Sequence, residues 1–342
     1  MGIVNLVNLV CATFERPETG HFVADLIKIL ADFLGDVGYG VVVVVFTLLL
    51  KLIMSPLDIW QKTVTAKNNT IMKRMKPEME KLQKAYGHDK QTFSVKQMEL
   101  YKKHGYKMAG ACLPMIITLV VFFIVFAGFN AMTRYQIINN FIDITEEFEA
   151  YEEEARASGL TNDADIVAYA QDKVAEDYKP DGFLWIKNVF VADTFWDNPI
   201  PSYDKFIKSI AGTDTSLSSI TQDNYNMYMA KIIEKYPSTN GFLILPVLTI
   251  AVSFLAQFLM KSTTPQPAPG ADAAGANSSM QIMQYLMPLM MGIFALFYSA
   301  TFTIYMVISQ FVSMAMQLIF NLVYSVKEKR AEEKRLSTTF KR

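Results

Sequence analysis

Residues 41–54 read VVVVVFTLLLKLIM, an apolar run interrupted by Lys51, with Thr47 four positions before it and Ser55 four after. At about 100° per residue these three side chains drift only about 80° around a helix axis, so they share one face while Val, Phe, Leu and Ile cover the rest. This is the pattern of a membrane-spanning helix with a polar stripe. An ammonium group at the centre of such a helix costs roughly 2.5–3.5 kcal/mol, so it faces protein or water and marks a functional path. The plainer reading is a lysine that snorkels to the interface along its aliphatic stem. Lys51 lies toward the end that leads into the charged segment after Asp58, which keeps that reading open.

Outward from this stretch, the 342-residue chain is 51% hydrophobic and nearly neutral overall, but the average hides two kinds of sequence. Five apolar stretches, at 38–57, 108–132, 241–260, 281–298 and 300–324, approach or exceed the roughly 17–25 residues a spanning helix needs. The last two form one nearly continuous run, about twice the thickness of a bilayer as a single helix, so it must fold back near Ser299 and Ala300. Between 59 and 107 there are twelve basic residues against four acidic ones, and the tail from 327 to 342 carries seven against three. By the positive-inside rule both belong in the cytoplasm. The acidic 133–240 segment, with Glu146, Glu147, Glu149, Glu152, Glu153 and Glu154, then lies outside together with the N-terminus.

The segments between the apolar stretches have characters of their own. Residues 21–36 (HFVADLIKILADFLGD) repeat apolar side chains at Phe22, Leu26, Ile29, Leu30, Phe33 and Leu34, the pattern of an amphipathic helix on the outer membrane surface or of a short helix packed in a soluble head. Two helical patterns, one with Met72, Met75, Met79 and Leu82 and the other with Phe93, Met98, Leu100 and Tyr101, flank Gly87, His88 and Asp89. They predict a cytoplasmic helical hairpin whose methionines form its seam or a soft apolar surface. The 133–240 segment is too long for a plain loop and has helical stretches at 161–178 and 221–236, which predicts a small acidic subdomain. Residues 261–280, rich in Pro, Ala, Gly and Ser, predict a flexible cytoplasmic linker. The first fourteen residues, MGIVNLVNLVCATF, lack the basic start and long apolar core of a signal peptide. Cys11 and Cys112 fall on opposite sides of the membrane in this topology, so no disulfide framework is expected.

Polar side chains recur every four positions in two further spans, at Thr249, Ser253 and Gln257 and at Ser309, Ser313, Gln317 and Asn321. Such stripes serve as hydrogen-bonding glue between helices or line a shared wet cavity. Enzymatic constellations are missing from the sequence: His21, His88 and His104 are scattered, no Cys or His pair has metal-ligand spacing, and no Gly-rich phosphate motif occurs. No paired intramembrane acids suggest ion coupling either.

A series of short motifs then falls in order: KLIMSPL at 51–57, MKRMKP at 72–77, DKQ at 89–91, MELYK at 98–102, ACLP at 111–114, ILP at 244–246, Gln257, and YLMPLMMGIFALFYSATFTI at 285–304. The chain resembles the bacterial five-span branch of the YidC/Oxa/Alb family over roughly residues 20–132, 183–193 and 241–325. The resemblance implies an all-α polytopic membrane protein in which five transmembrane helices surround a hydrophilic groove, with a cytoplasmic helical hairpin at 58–107 and a basic tail at 325–342. It implies a non-enzymatic insertase and chaperone of the bacterial plasma membrane, with nascent membrane proteins and the bilayer as partners, the ribosome and the Sec translocon as further candidates, and no DNA, metal or cofactor. The groove residues it implies, together with the stripes, are Lys51, Thr47, Ser55, Thr118, Thr249, Ser253, Gln257, Ser313 and Gln317.

Departures are as informative. Lys51 stands where the family has a groove arginine, keeping the charge but losing the planar fork. Thr118 replaces what is often glutamine, and Ser299 and Thr301 stand where Pro and Gly are usual. FLWIKNVFVAD at 183–193 resembles the segment just before the third span, yet 47 residues separate Asp193 from Gly241, and a second expansion lies between Arg134 and Asp181. These expansions motivate an alternative, a dedicated assembly factor that docks one complex through its outer subdomain. A small-solute transporter using Lys51 as an anion site is a third reading, disfavoured by the lack of an inverted repeat.

Overall fold

The chain is helical through both its apolar and its charged stretches. The computed structural model describes residues 16–106, 108–211, 216–237, 239–260 and 276–339. Ten α-helices occur among them: α1 Phe22–Leu34, α2 Tyr39–Tyr86, α3 Lys90–Lys103, α4 Met108–Ala157, α5 Asp163–Asp177, α6 Tyr203–Ile210, α7 Gln222–Lys235, α8 Ile244–Met260, α9 Ala276–Phe297 and α10 Ala300–Thr339. The N-terminal stretch through Cys11 and most of the expected 261–280 linker lie outside the described residues, while 276–280 form the first turns of α9.

Among the described residues, three helices are long and apolar enough to cross a membrane, within Tyr39–Tyr86, Ile116–Ala157 and Ala300–Val326. Ile244–Leu259 and Pro288–Phe297 are apolar but shorter. The helices that carry the apolar stretches 38–57 and 108–132 do not end with them. The first runs on as α2 to Tyr86, and the second runs on as α4 to Ala157. Hydropathy marks a change of solvent, and a helix whose backbone bonds are internal need not break where the solvent changes. Pro56 lacks the N–H that would bond the carbonyl four residues back, at Leu52, and the Ser55 hydroxyl donates to that carbonyl instead at 2.8 Å. The helix therefore survives its proline.

The described chain divides into two compact units. One comprises residues up to Phe46, Ile124–Pro246 and Phe294–Ile304. Here His21 caps α1, its Nδ1 accepting from the Val23 N–H at 3.2 Å. Val23, Ala24 and Ile27 are buried, and a Cβ placed on Gly128 of α4 would collide with Val23. Phe22, Leu26, Ile29 and Phe33, at helical spacing, remain exposed, as an amphipathic helix requires if its other face meets lipid.

The helices expected at 161–178 and 221–236 appear as α5 and α7. They join α6 and the C-terminal half of α4 around one core containing Phe141, Phe148, Val174, Phe206, Tyr225 and Ile232. The Phe141 ring stacks on Tyr225 at 5.4 Å, and Phe148 meets Tyr228 edge-on at 5.0 Å. The two sequence expansions thus build a single subdomain.

Its neck is a buried polar clasp. Asp193, 1% exposed, accepts from Trp185 Nε1 at 3.1 Å and from the backbone N–H groups of Phe242 and Leu245 at 2.8 and 2.7 Å. Asn240 accepts from the Asn188 N–H at 2.8 Å, and its amide donates to the carbonyls of Asn188, Val191 and Ala192. The Gly241 N–H bonds the Thr194 carbonyl at 3.0 Å, so the 194–240 segment leaves and returns at one point.

The fold-back expected at Ser299 and Ala300 is also in this unit. The first N–H groups of α10, which have no partner inside the helix, are taken up by neighbouring backbone: Ala300 donates to Val191 at 3.1 Å and Thr301 to Val189 at 2.9 Å. Thr133 donates to the Ser299 hydroxyl at 3.0 Å. Hydrogen bonds hold this turn without the Pro and Gly usual in the family the sequence resembles.

The other unit comprises Thr47–Phe123, Val247–Ile293 and Tyr305–Arg342. Asp89 caps α3, accepting from the N–H groups of Gln91 and Thr92. Met72, Met75 and Met79 of α2 are buried with Phe93 and Tyr101, so the methionines form the seam of the hairpin. Hydrogen bonds from Lys103 and His104 hold the half-buried Glu78 carboxylate below its ordinary pKa.

Candidate functional site

Every residue the sequence points to for a polar site lies in the second unit. Lys51 is half-buried on α2 while its helix neighbours Leu52 and Ile53 are 69% and 76% exposed. Apolar exposure of that size on a membrane helix is a lipid face, and Lys51 turns away from it. Its Nζ donates to the Ser313 hydroxyl of α10 at 3.0 Å. Thr47, one turn earlier, is fully buried. Ser55 turns its hydroxyl onto its own helix at Leu52.

On α8, Thr249 is fully buried and Ser253 donates to Gln310 Oε1 of α10 at 2.8 Å. Gln257, one turn further, is half-buried. On α10, Gln317 is 1% exposed and its amide donates to Asn321 at 2.8 Å. Thr118 of α4 is exposed and accepts from Gln61 Nε2 at 3.4 Å. The polar residues of α2, α4, α8 and α10 therefore join in pairs across helices: Lys51 with Ser313, Ser253 with Gln310, and Gln61 with Thr118.

Three partners in this arrangement escaped the sequence reading. Gln310 is one position off the four-residue stripe of α10. Gln61 and Lys62 lie beyond residue 57, where the first span was expected to end. Lys62 Nζ reaches the Ser313 carbonyl at 3.4 Å. The available signal was helical spacing: Lys62 is eleven residues after Lys51, about three full turns.

Chemically, the arrangement could recognise polar groups. It offers two ammonium groups, several hydroxyls and carboxamides on otherwise apolar helices. Among the described residues, no group of three or more His, Cys, Asp or Glu side chains could hold a metal ion.

Comparison with known proteins adds the family. The family described as 60Kd inner membrane protein matches residues 29–328. The membrane protein insertase YidC of Fusobacterium nucleatum subsp. nucleatum is 34% identical over 106 residues, 31% of this chain and 49% of that protein. The membrane protein insertase YidC of Dinoroseobacter shibae is 42% identical over 84 residues, 25% of this chain and 13% of that protein. That of Caldanaerobacter subterraneus subsp. tengcongensis is 31% identical over 100 residues, 29% of this chain and 46% of that protein. The chain thus spans less than half the length of each of these relatives. Its apolar helices make it an integral membrane protein, and a match over residues 29–328 of 342 shows that it belongs to the 60Kd inner membrane protein family.

Proposed function

We propose that this protein inserts nascent membrane proteins and helps them fold, using a lipid-open hydrophilic groove among five spanning helices. The supporting observation is Lys51: an ammonium group on an apolar helix, turned from the lipid face and held 3.0 Å from Ser313. The groove takes in Lys51, Thr47, Ser55, Thr118, Thr249, Ser253, Gln257, Ser313 and Gln317. A polar tail crossing hydrocarbon loses several kcal/mol for each unsatisfied group, and a groove that hydrates part of the path lowers that barrier. Lys51 attracts an acidic tail while the substrate's apolar helix leaves along the lipid side. In this reading the N-terminus and the 133–240 subdomain lie outside, and the basic hairpin and tail lie in the cytoplasm, where they meet the ribosome and the Sec translocon.

The test is insertion of a single-span protein with an acidic tail into vesicles containing the purified chain. Lys51→Ala should lower insertion about tenfold, equivalent to about 1.4 kcal/mol, and Lys51→Arg should restore it. Normal insertion by Lys51→Ala would return Lys51 to a snorkelling role and leave hydration and shape to do the work.

The shared core of the two expansions favours a second reading, an assembly factor that presents its acidic subdomain to one partner complex. Charge reversal at the exposed Glu149 and Glu153 leaves that core intact. Under this reading it should block assembly of one membrane complex while general insertion continues. Unaltered assembly of all membrane complexes would count against it.

A further inference from the structure

Lys62 has no place in the reading so far, yet it converges with Lys51 on one residue. Lys51 donates to the hydroxyl of Ser313 at 3.0 Å and Lys62 reaches its carbonyl at 3.4 Å. Eleven residues on a helix return to within about 20° of the same face, so the two lysines lie on one stripe and extend toward each other along it. Asp58 lies on that stripe between them, seven residues after Lys51 and four before Lys62. Its carboxylate acts electrostatically on both ammonium groups. None of the ion pairs among the described residues joins it to either one. The stripe therefore carries an excess positive charge, and its own counter-ion is nearby but not closed onto it.

Resting on the insertase reading, we propose that Lys51 and Lys62 form a two-cation site that receives a segment bearing two closely spaced carboxylates, and that Asp58 is the internal counter-ion such a segment displaces. Two ammonium groups directed at one serine match two acidic side chains one or two residues apart better than a single acid. A second ion contact in a partly desolvated site also adds more than one at an exposed surface. Ser313 serves as the placeholder that both cations release when a carboxylate arrives. Asp58 lowers the resting positive charge, so the site binds an acidic segment without trapping it.

The experiment uses the full chain in vesicles of zwitterionic phosphatidylcholine, so that no anionic headgroup competes. Single-span substrates carry tails with two aspartates or with none, and the readout is the ratio of their insertion, which cancels any general loss of folded protein. Lys62→Gln should lower the ratio about fivefold, the size of an ion contact of about 1 kcal/mol, and Lys62→Arg should restore it. Asp58→Asn should raise binding of a two-aspartate peptide to the detergent-solubilised chain, and Lys62→Gln should lower it. A ratio and peptide binding unaltered in Lys62→Gln would overturn the two-cation site and leave the insertase reading standing. Lys62-dependent peptide binding, with no insertion by any form of the protein, would overturn the insertase reading and leave the site.

Discussion

Asp193→Ala is expected to cost about 3–5 kcal/mol and to open the neck of the 134–240 subdomain. The carboxylate is buried and holds three donors, the Trp185 indole N–H and the backbone N–H groups of Phe242 and Leu245. Each donor left without an acceptor loses about 1–3 kcal/mol, and partial relaxation keeps the total below the sum. Asp193→Asn should be nearly as damaging although it is the same size. One carboxylate oxygen serves Phe242 and the other serves both Trp185 and Leu245, so an amide must turn an NH2 group toward at least one N–H. The check is protease cleavage within 194–240 of the detergent-solubilised protein, beside its thermal midpoint. Wild-type resistance in Asp193→Ala would show that the Asn240 bonds alone hold the neck.

The second large effect concerns the helical hairpin of α2 and α3. Met75 and Met79 are both fully buried between α2 and α3, and truncation of either to alanine should cost about 2–5 kcal/mol. They are neighbours in one cluster, so the double variant should cost less than the sum of the singles. The hairpin opens as a local unit, and α3 is short, polar outside its seam and dependent on the Asp89 cap. Hydrogen exchange of the amides from 90 to 103 should therefore accelerate by a hundredfold or more, equivalent to about 2.7 kcal/mol, while α7 in the other unit keeps its protection. Unchanged exchange in α3 would mean that the seam does not hold the hairpin closed.

Helices were legible in the sequence wherever periodicity and punctuation agreed. Gly87, His88 and Asp89 marked the hairpin turn, and α5 and α7 fall within two residues of the stretches their patterns predict. The ends of α2 and α4 were not legible, because loss of hydropathy at Asp58 and Thr133 signals an interface and not a helix end. That concealed Lys62, which only an unbroken α2 carries onto the same stripe as Lys51, and Gln61 beside it, which turns toward Thr118. The pairing of Lys51 with Ser313 was foreshadowed by spacing on each helix, but spacing alone could not say which helices meet. The Asp193 clasp was beyond sequence reading for a simpler reason. Its carboxylate is 49 and 52 residues from its two backbone donors, with no periodic signal linking them.

The shared core of the 134–240 subdomain also sets what can be removed from it. Phe141, Phe148 and Val174 belong to one expansion, and Phe206, Tyr225 and Ile232 to the other, and each set is the cover of its counterpart. A chain with only one of them would present a row of aromatic rings to water, an aggregation hazard. The two segments, separated in the sequence only by residues 182–193, therefore form one folding unit, and deleting either should unfold what remains of the other.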